Sequence, residues 1–248
     1  YPLGPVHLDF SGISARARRI KGLRKVRGGP AQTVPRSPSM RTWRLRPLGP
    51  KDPPHQPLYL DRILYRLRAD SSIRTILDAG CGDGNFAASL AGAGFTVYGV
   101  DLGSAIAIAA SRNIGTFREA SLYDDLLDPF GDVERFDAIV AVEVMEHLFS
   151  PRDFIGRAEA ALRPGGLLIL TTPYWGYWKT LALAVAGRVD QMHTALWDGG
   201  HIKHWSRKTL TALVEERRFR LVAFDGDARR PIPYLWQGMM LTFERTTP

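Results

Sequence analysis

Hydrophobic residues after position 57 alternate between short apolar runs and stretches with helical spacing. Such alternation is typical of a parallel β-sheet whose strands are connected by helices. The apolar runs predict seven strands, at residues 75–79, 95–101, 116–120, 136–144, 167–173, 220–225 and 239–245. The helical stretches predict five helices, at residues 57–69, 86–93, 103–112, 151–162 and 206–219. We therefore predict an α/β fold, and we expect Ser206 to cap the last helix.

The turn after the first predicted strand is rich in glycine. In the sequence ILDAGCGDG, Gly80, Gly82 and Gly84 follow Asp78 within six residues. A dinucleotide-binding turn would need its third glycine one position later, and a phosphate-binding loop would need a lysine after its last glycine. Neither is present, so we expect the backbone to approach a ligand that need not carry a phosphate.

Positive charge is concentrated near the amino terminus. Residues 1–50 contain 11 of the 33 Lys and Arg residues but one of the 25 Asp and Glu residues, which gives a net charge of +10. The rest of the chain has 22 basic and 24 acidic residues, so its net charge is −2. Because this larger part is nearly neutral, we expect no stable nucleic-acid partner. We expect residues 1–50 to be a disordered basic extension, and the working chain to start at Met40, the first methionine.

Cysteine content and hydropathy limit the compartments in which the protein is expected to work. Cys81 is the single cysteine and lies inside the glycine turn, where it is predicted to be a small packed residue rather than a nucleophile. An internal disulfide is therefore impossible, and a reducing compartment such as the cytoplasm is the simplest expectation. No run approaches the ~18 apolar residues of a membrane span, although peripheral contact with a membrane stays open.

Four motifs occur in order along the chain: ILDAGCGDG, the acidic end of YGVD, FDAIVAVEVMEHL, and LRPGGLLILTTP. In these motifs the chain resembles the class I, Rossmann-like S-adenosylmethionine-dependent methyltransferases, and within them the ubiquinone-biosynthesis O-methyltransferases. The resemblance implies a doubly wound, mostly parallel seven-stranded sheet with an antiparallel last strand, and it makes residues 51–248 the methyltransferase domain. It also implies an enzyme that uses S-adenosyl-L-methionine to methylate a small-molecule acceptor, at an oxygen of an aromatic, quinone-like or lipid-like metabolite.

The chemistry of S-adenosylmethionine can be matched to individual residues. The molecule carries no phosphate, but it has an ammonium and a carboxylate at one end and a ribose diol in the middle. Asp78 can receive the ammonium, and Asp101, which ends the second strand, can accept both ribose hydroxyls. The resemblance places the adenine near Leu102, Ser121 and Leu122. The predicted cofactor-binding residues are Asp78, Gly80, Cys81, Gly82, Gly84, Asp101, Leu102, Ser121, Leu122 and Glu143.

The motif EVMEHL suggests a second kind of site. Glu143, Glu146 and His147 follow a buried strand, so their side chains can converge at the sheet edge where open α/β folds bind ligands. Two carboxylates and an imidazole suit Mg²⁺, Mn²⁺ or Zn²⁺, any of which would lower the pKa of an acceptor hydroxyl. The resemblance adds His201 as a fourth metal ligand. The alternative is that Glu143 lines the cofactor pocket and His147 caps the turn without a metal.

Residues 173–205, between the fifth strand and the last helix, are predicted to form a lid over the acceptor site. The segment is rich in Trp, Tyr and His, which suits an aromatic or lipid-like acceptor. We predict His147, His193 and His201 as catalytic residues, with His204 as a further candidate base and His201 favoured. Two other functions stay open, an RNA 2′-O-methyltransferase and a non-catalytic cofactor-binding protein.

Overall fold

The computed structural model describes residues 59–193, 200–226 and 234–247. The predicted extension at residues 1–50 and residues 194–199 of the predicted lid lie outside these ranges. Within them, seven strands form one sheet: β1 Thr75–Ala79, β2 Thr96–Asp101, β3 Thr116–Glu119, β4 Phe136–Val142, β5 Leu162–Pro173, β6 Phe219–Gly226 and β7 Gly238–Arg245. The helices are α1 Leu60–Arg68, α2 Asn85–Gly92, α3 Ala105–Ser111, α4 Pro151–Ala161, α5 Tyr177–Val185 and α6 Arg207–Val214. Short 3-10 turns occupy Asp128–Phe130 and Val189–Met192.

The strand order is β3-β2-β1-β4-β5-β7-β6, and β7 runs antiparallel to its neighbours β5 and β6. This order confirms the predicted doubly wound sheet with an antiparallel last strand. The order reverses between β1 and β4, which are parallel neighbours. Ligands of open α/β sheets bind at such a reversal, beyond the carboxyl ends of the strands. The glycine turn after β1 and the EVMEHL turn after β4 both start at this edge.

Both faces of the sheet are buried, which explains the continuous apolar runs in the strands. Along β1, Leu77 packs in the same core cluster as Phe154 of α4. The preceding residue, Ile76, belongs to a second cluster with Ile63 of α1 and Leu90 of α2. Successive residues of one strand therefore contribute to two cores on opposite faces.

The boundaries of several elements differ from the sequence prediction. Strand β4 ends at Val142 instead of residue 144, because Glu143 adopts a left-handed φ of 54°. Strand β5 already begins at Leu162, so the predicted RPGG turn is part of the strand. Helix α6 ends at Val214 instead of residue 219, although Ser206 caps it as predicted, together with Thr209 in a capping box.

The described part of the predicted lid contains helix α5, which the sequence analysis did not predict. Two contacts of Tyr174, near the start of the lid, hold the lid in place. Tyr174 forms a parallel bridge with Trp205, and the backbone N–H of Tyr174 donates to the carbonyl of Gln237 at 2.9 Å. Among the described residues, no helix combines the length and the apolar character needed to cross a bilayer.

Candidate active site

The glycine turn after β1 follows a path that side chains would obstruct. Gly80, Gly82 and Gly84 have φ values of +80°, +52° and +80°, in the left-handed region that glycine adopts readily. A Cβ on Gly80 would lie 2.6 Å from Val144 Cγ2, and one on Gly84 would lie 2.9 Å from the Cβ of Ala109. The backbone of the turn therefore packs closely between the β4 turn and α3, with no such neighbour above Gly82.

Cys81 faces the protein core from within this turn. Its side chain is 6% exposed and packs in the core cluster that contains Ile76 and Phe117. Burial is the main cause that raises the pKa of the thiol to about 12, and the negative charges of Asp78 and Asp101 add to it. Cys81 is thus a neutral packed side chain, so its predicted cofactor contact concerns its backbone alone.

Two carboxylates flank the glycine turn. Asp101 accepts a hydrogen bond from the N–H of Gly82 through Oδ2 and one from its neighbour Leu102 through Oδ1, both at 2.6 Å. Asp78 is 1% exposed, and its Oδ2 has no hydrogen-bond partner among the described residues. Burial, reinforced by the charge of Asp101, raises the pKa of Asp78 to about 8. An ammonium group beside Asp78 would supply the missing partner and favour its ionised form.

The residues predicted to surround the adenine lie at the ends of β2 and β3. The N–H of Ala120 donates to the carbonyl of Asp101 at 3.2 Å, which brings Ser121 and Leu122 beside Leu102. The Leu102 side chain is 63% exposed, as expected for one wall of an open ligand site. Ser121 Oγ accepts a hydrogen bond from the N–H of Tyr123 at 3.2 Å.

Glu143 is held in its left-handed conformation by Thr171 of β5. The N–H of Glu143 donates to Thr171 Oγ1 at 3.0 Å, and that hydroxyl in turn donates to Glu143 Oε1 at 2.9 Å. Thr171 is fully buried, so this contact fixes both the backbone and the carboxyl group of Glu143. Burial raises the pKa of Glu143, although the hydrogen bond from Thr171 acts against that shift. Sequence reasoning did not find Thr171, because it lies 28 positions away with no local signal.

Glu146, His147 and His201 form a compact cluster after β4. Each offers a ligand atom, and these atoms all lie within 4.8 Å of one another. Glu146 is 1% exposed, and neither carboxylate oxygen has a hydrogen-bond partner among the described residues. Its Oε1 is 4.0 Å from His201 Nε2, and the rings of His147 and His201 are 5.0 Å apart. The N–H groups of Ile202 and Lys203 both donate to the Glu146 carbonyl, which brings His201 to the cluster.

This cluster fits a divalent cation, because an unpartnered buried carboxylate beside two imidazoles is a suitable donor set. It contains three of the four predicted ligands, whereas Glu143 lies outside it. Burial, followed by the charge of Glu143, raises the pKa of Glu146 to about 8. Burial, with His147 and His204 nearby, lowers the pKa of His201, so its imidazole is neutral at pH 7.

The other two predicted histidines pack on Trp175, and neither is a member of the cluster. The ring of His204 lies 4.0 Å from the indole with 35° between the planes, and the ring of His193 lies 5.3 Å away. Burial and the neighbouring His193 lower the pKa of His204. His193 is therefore not in the cluster that contains His147 and His201, with which it was predicted to be catalytic.

A cavity of about 520 Å³ opens beside the cluster. Its walls come from the end of β5, helix α5, the 3-10 turn and the chain before β7. The residues that line it are Pro173, Trp175, Lys179, Ala182, Leu183, Arg188, Met192, His201, Leu235 and Gln237. His201 therefore belongs both to the cluster and to the wall of a cavity large enough for a small organic molecule.

Comparison with known proteins identifies the family of the chain. A family described as "Methyltransferase domain" matches residues 54–223. The chain is 30% identical over 215 residues to a ubiquinone biosynthesis O-methyltransferase of Rhodopseudomonas palustris (strain BisA53). This alignment covers 79% of this chain and 80% of the relative. A protein of the same name from Bradyrhizobium sp. (strain ORS 278) is 32% identical over 65% of this chain, which spans 64% of the relative's length.

A solved structure supports the same fold. The magnesium protoporphyrin IX methyltransferase of Synechocystis PCC 6803, with bound SAH, superposes with a TM-score of 0.56 at 18% identity. The superposition covers 75% of this chain and 82% of that protein. Together with the family match, these findings show that the chain belongs to the class I S-adenosylmethionine-dependent methyltransferases and resembles their ubiquinone-biosynthesis O-methyltransferase branch.

Proposed function

We propose that this enzyme transfers the methyl group of S-adenosylmethionine to an oxygen of a small aromatic, quinone-like or lipid-like acceptor bound in the cavity beside His201. One observation carries this proposal: the cluster of Glu146, His147 and His201 combines an unpartnered buried carboxylate with two imidazoles, and His201 lines the cavity. The name of the relatives, ubiquinone biosynthesis O-methyltransferase, supports an oxygen as the acceptor atom.

The proposed donor site is the glycine turn. Asp78 receives the ammonium of S-adenosylmethionine, and Asp101 accepts the ribose hydroxyls through the lone pairs that its two backbone contacts leave available. Leu102 covers the adenine from one side, next to Ser121 and Leu122. The sulfonium is already an activated leaving group, so these residues have mainly to align the methyl group with the acceptor oxygen.

The acceptor hydroxyl must lose its proton as the methyl group is transferred. His201 is the best placed base, because it lines the cavity and its lowered pKa leaves it neutral at pH 7. Glu146 is a weaker candidate, since in the chain alone its pKa of about 8 leaves it protonated at neutral pH. His147 packs against the His201 ring and orients it.

As the alternative to a lone histidine base, we propose that Glu146, His147 and His201 hold a divalent cation, Mg²⁺, Mn²⁺ or Zn²⁺, in which case His201 is a ligand and not the base. When bound, such a cation supplies positive charge that lowers the pKa of the acceptor hydroxyl. Glu146 would then be ionised, which removes the unfavourable state of a buried carboxylate without a partner. Glu143 was the fourth ligand predicted from the sequence. It lies outside the cluster, but its negative charge would add to the attraction of the site for a cation.

Methyl transfer from labelled S-adenosylmethionine to catechol tests the proposal. Activity that disappears in chelator and returns with Mg²⁺, Mn²⁺ or Zn²⁺ would support the cation site. Activity that ignores the chelator, rises with pH through a pKa below about 6.5, and falls about 10²–10⁴-fold in His201→Ala would support a lone histidine base. Glu216→Gln, which changes an exposed carboxylate outside the cluster, is the control for Glu146→Gln. Absence of any methylated catechol-type product would overturn the acceptor class.

An RNA 2′-hydroxyl could use the same cluster, and salt dependence separates the two acceptors. Phosphate contacts make RNA binding fall steeply with salt concentration, whereas binding of a small neutral acceptor changes little. We expect the KM for catechol to be nearly constant between low and physiological salt. A steep salt dependence together with methylated RNA would favour an RNA 2′-hydroxyl as the acceptor.

Helix α5 carries a surface that suits a peripheral contact with anionic lipid. Tyr177, Trp178, Leu181 and Val185 are between 41% and 83% exposed on this helix. Arg207 and Lys208 line a groove together with Tyr177, so cationic groups border the apolar surface. Aromatic and aliphatic side chains next to cations suit the interface of an anionic bilayer.

Co-sedimentation with phosphatidylglycerol vesicles tests this contact, with phosphatidylcholine vesicles as the neutral comparison. Trp178→Ser should weaken the sedimentation, because it removes an exposed indole from the proposed surface. Phe149→Ser is the matched control, since Phe149 is 80% exposed but lies on the segment before α4. Equal loss in the two variants, or no preference for anionic vesicles, would contradict the contact.

A further inference from the structure

Trp175 is tied to the turn that carries Glu146. Its backbone N–H donates to the carbonyl of Trp205 at 2.9 Å, and the indole N–H of Trp205 donates to the carbonyl of Met145 at 3.0 Å. Trp205 itself is 9% exposed and belongs to the main core cluster. Because Met145 directly precedes Glu146, these bonds hold the backbone of Trp175 relative to the turn that carries the cluster.

The indole of Trp175 has one covered face. His204 lies against it with ring centroids 4.0 Å apart and 35° between the planes, and His193 approaches at 5.3 Å and 52°. Trp175 also lines the cavity that reaches His201. Trp175 therefore borders the cavity while the two imidazoles pack against its ring.

We propose that Trp175 is a specificity-determining residue that selects acceptors with a flat aromatic ring, and that His204 is a positioning residue behind it. The inference rests on the proposed function, because it concerns the same acceptor cavity. A ring laid against the indole would be held by offset or edge contacts, while oxygens on that ring point toward His201. An aliphatic diol offers the same oxygens but no ring for the indole to hold.

The rigidity of Trp175 is what makes it a selector. An indole held by backbone and ring contacts loses little conformational freedom when an acceptor binds, so its contact energy appears in the affinity. Its main effect should therefore be on the KM for the acceptor, while the chemistry at His201 sets kcat. This separation distinguishes Trp175 from a catalytic residue.

The test measures KM and kcat for catechol with saturating labelled S-adenosylmethionine. We expect Trp175→Leu to raise the KM for catechol by about tenfold with kcat changed less than about threefold, and Trp175→Phe to stay within about threefold in both. The matched control is Trp178→Leu, the same substitution on an exposed tryptophan that does not line the cavity. A KM for Trp175→Leu within about twofold of the wild type would overturn the proposal.

His204 provides a second set of variants, because its exposure allows substitution without loss of folding. We expect His204→Ala to raise the KM for catechol about threefold and His204→Phe, which keeps a ring against Trp175, to restore it. If His204 were instead the general base, both variants would lower kcat by about 10²-fold or more. Such a common loss of kcat would contradict the positioning role.

Failure of this inference can be told apart from failure of the proposed function. If the wild type methylates no catechol, the proposed acceptor class is wrong, and equilibrium binding of catechol by calorimetry then decides the role of Trp175. Weaker binding in Trp175→Leu than in Trp178→Leu would uphold it, and equal binding in the two would overturn it. Unchanged affinity for S-adenosylhomocysteine in both variants shows that they are folded.

Discussion

The two ends of the sheet hold their carboxylates in opposite ways. At the amino end, Asp137 accepts hydrogen bonds from the N–H groups of Arg74 and Thr75, both at 2.8 Å, and from Arg163 Nε at 2.7 Å. Partial burial alone would raise the pKa of Asp137, but these bonds outweigh it and lower the pKa. At the carboxyl end of β1, Asp78 has an oxygen without a partner among the described residues, and burial raises its pKa to about 8.

The difference separates a carboxylate that hydrogen bonds from the chain satisfy from two buried carboxylates that lack such bonds among the described residues. Asp137 is satisfied by the chain itself, so its charge contributes to stability. Asp78 and Glu146 are nearly fully buried without that satisfaction, so they are unfavourable in the protein alone. A cationic ligand at either residue would remove the penalty, and binding energy therefore comes partly from relief of the unliganded state. The following predictions test this division, from the largest effect to the smallest.

The largest effect should be on activity at the carboxyl edge. His201→Ala should lower kcat/KM for catechol by about 10²–10⁴-fold, because it removes the proposed base, or the proposed cation ligand, beside the cavity. His193→Ala should lose less than about tenfold, since His193 packs across Trp175 and outside the cluster. Steady-state kinetics of the two variants decide the point. Equal losses would show that the base is not in the Glu146 cluster.

The amino edge should instead control stability. Asp137→Ala should lower the free energy of unfolding by about 3 kcal/mol, because the N–H groups of Arg74 and Thr75 and the Arg163 Nε lose their acceptor. Urea denaturation measures this change. The affinity for S-adenosylmethionine should stay the same, and a large loss of affinity would contradict the separation of the two edges.

Asp101 should control the affinity for the cofactor instead. Asp101→Ala should weaken binding of S-adenosylmethionine by about 1.5–3 kcal/mol, the scale of hydrogen bonds to a charged group. Calorimetry gives the affinity, and Asp137→Ala is the control for removal of a carboxylate at the other end of the sheet. Unchanged affinity in Asp101→Ala would remove this residue from the donor site.

Thr171 should show how the carboxyl edge is held. Thr171→Val has a similar shape but loses both hydrogen bonds of the hydroxyl to Glu143, so it should lower stability by about 1–2 kcal/mol and also reduce kcat. Thr171→Ser keeps the hydroxyl and should recover most of both losses. Urea denaturation and kinetics measure the pair. A valine variant that behaves like the wild type would show that the turn needs no such support.

Apart from these substitutions, pH should change the stability of the unliganded protein. The folded pKa of Asp78, about 8, lies above its unfolded value of 3.8, so the folded state keeps a proton that the unfolded state has lost. The stability due to this residue is therefore present at low pH and lost as pH rises through about 8, by about 1 kcal/mol per pH unit.

Melting between pH 5 and 8 measures this slope, with Asp78→Asn as the comparison. We expect a flatter profile in the asparagine variant, because its side chain does not titrate. Bound S-adenosylhomocysteine should also flatten the wild-type profile, since its ammonium stabilises the ionised Asp78. Identical profiles in the wild type and the variant would contradict the raised pKa.

The sequence by itself determined the order of the elements and the ligand turn. Apolar runs and helical spacing report local burial, so the succession of strands and helices and the cap at Ser206 were predictable from the residues, whereas the doubly wound sheet was implied by the family resemblance. The glycine turn and Asp101 were also predictable, because Gly and Asp at a strand end carry a local requirement. The catalytic assignment was less secure, since His193 and His201 look alike in sequence.

Only the tertiary structure decided which side chains meet. Thr171 reaches Glu143 from a neighbouring strand, and His201 reaches Glu146 from a segment 55 positions away. Helix α5 and the placement of His204 on Trp175 also emerged there. Such contacts depend on strand register and on the closure of long connections, which leave no periodic pattern in the chain. Local patterns record the face on which a residue is buried, whereas the residue it meets across the sheet edge is set by packing.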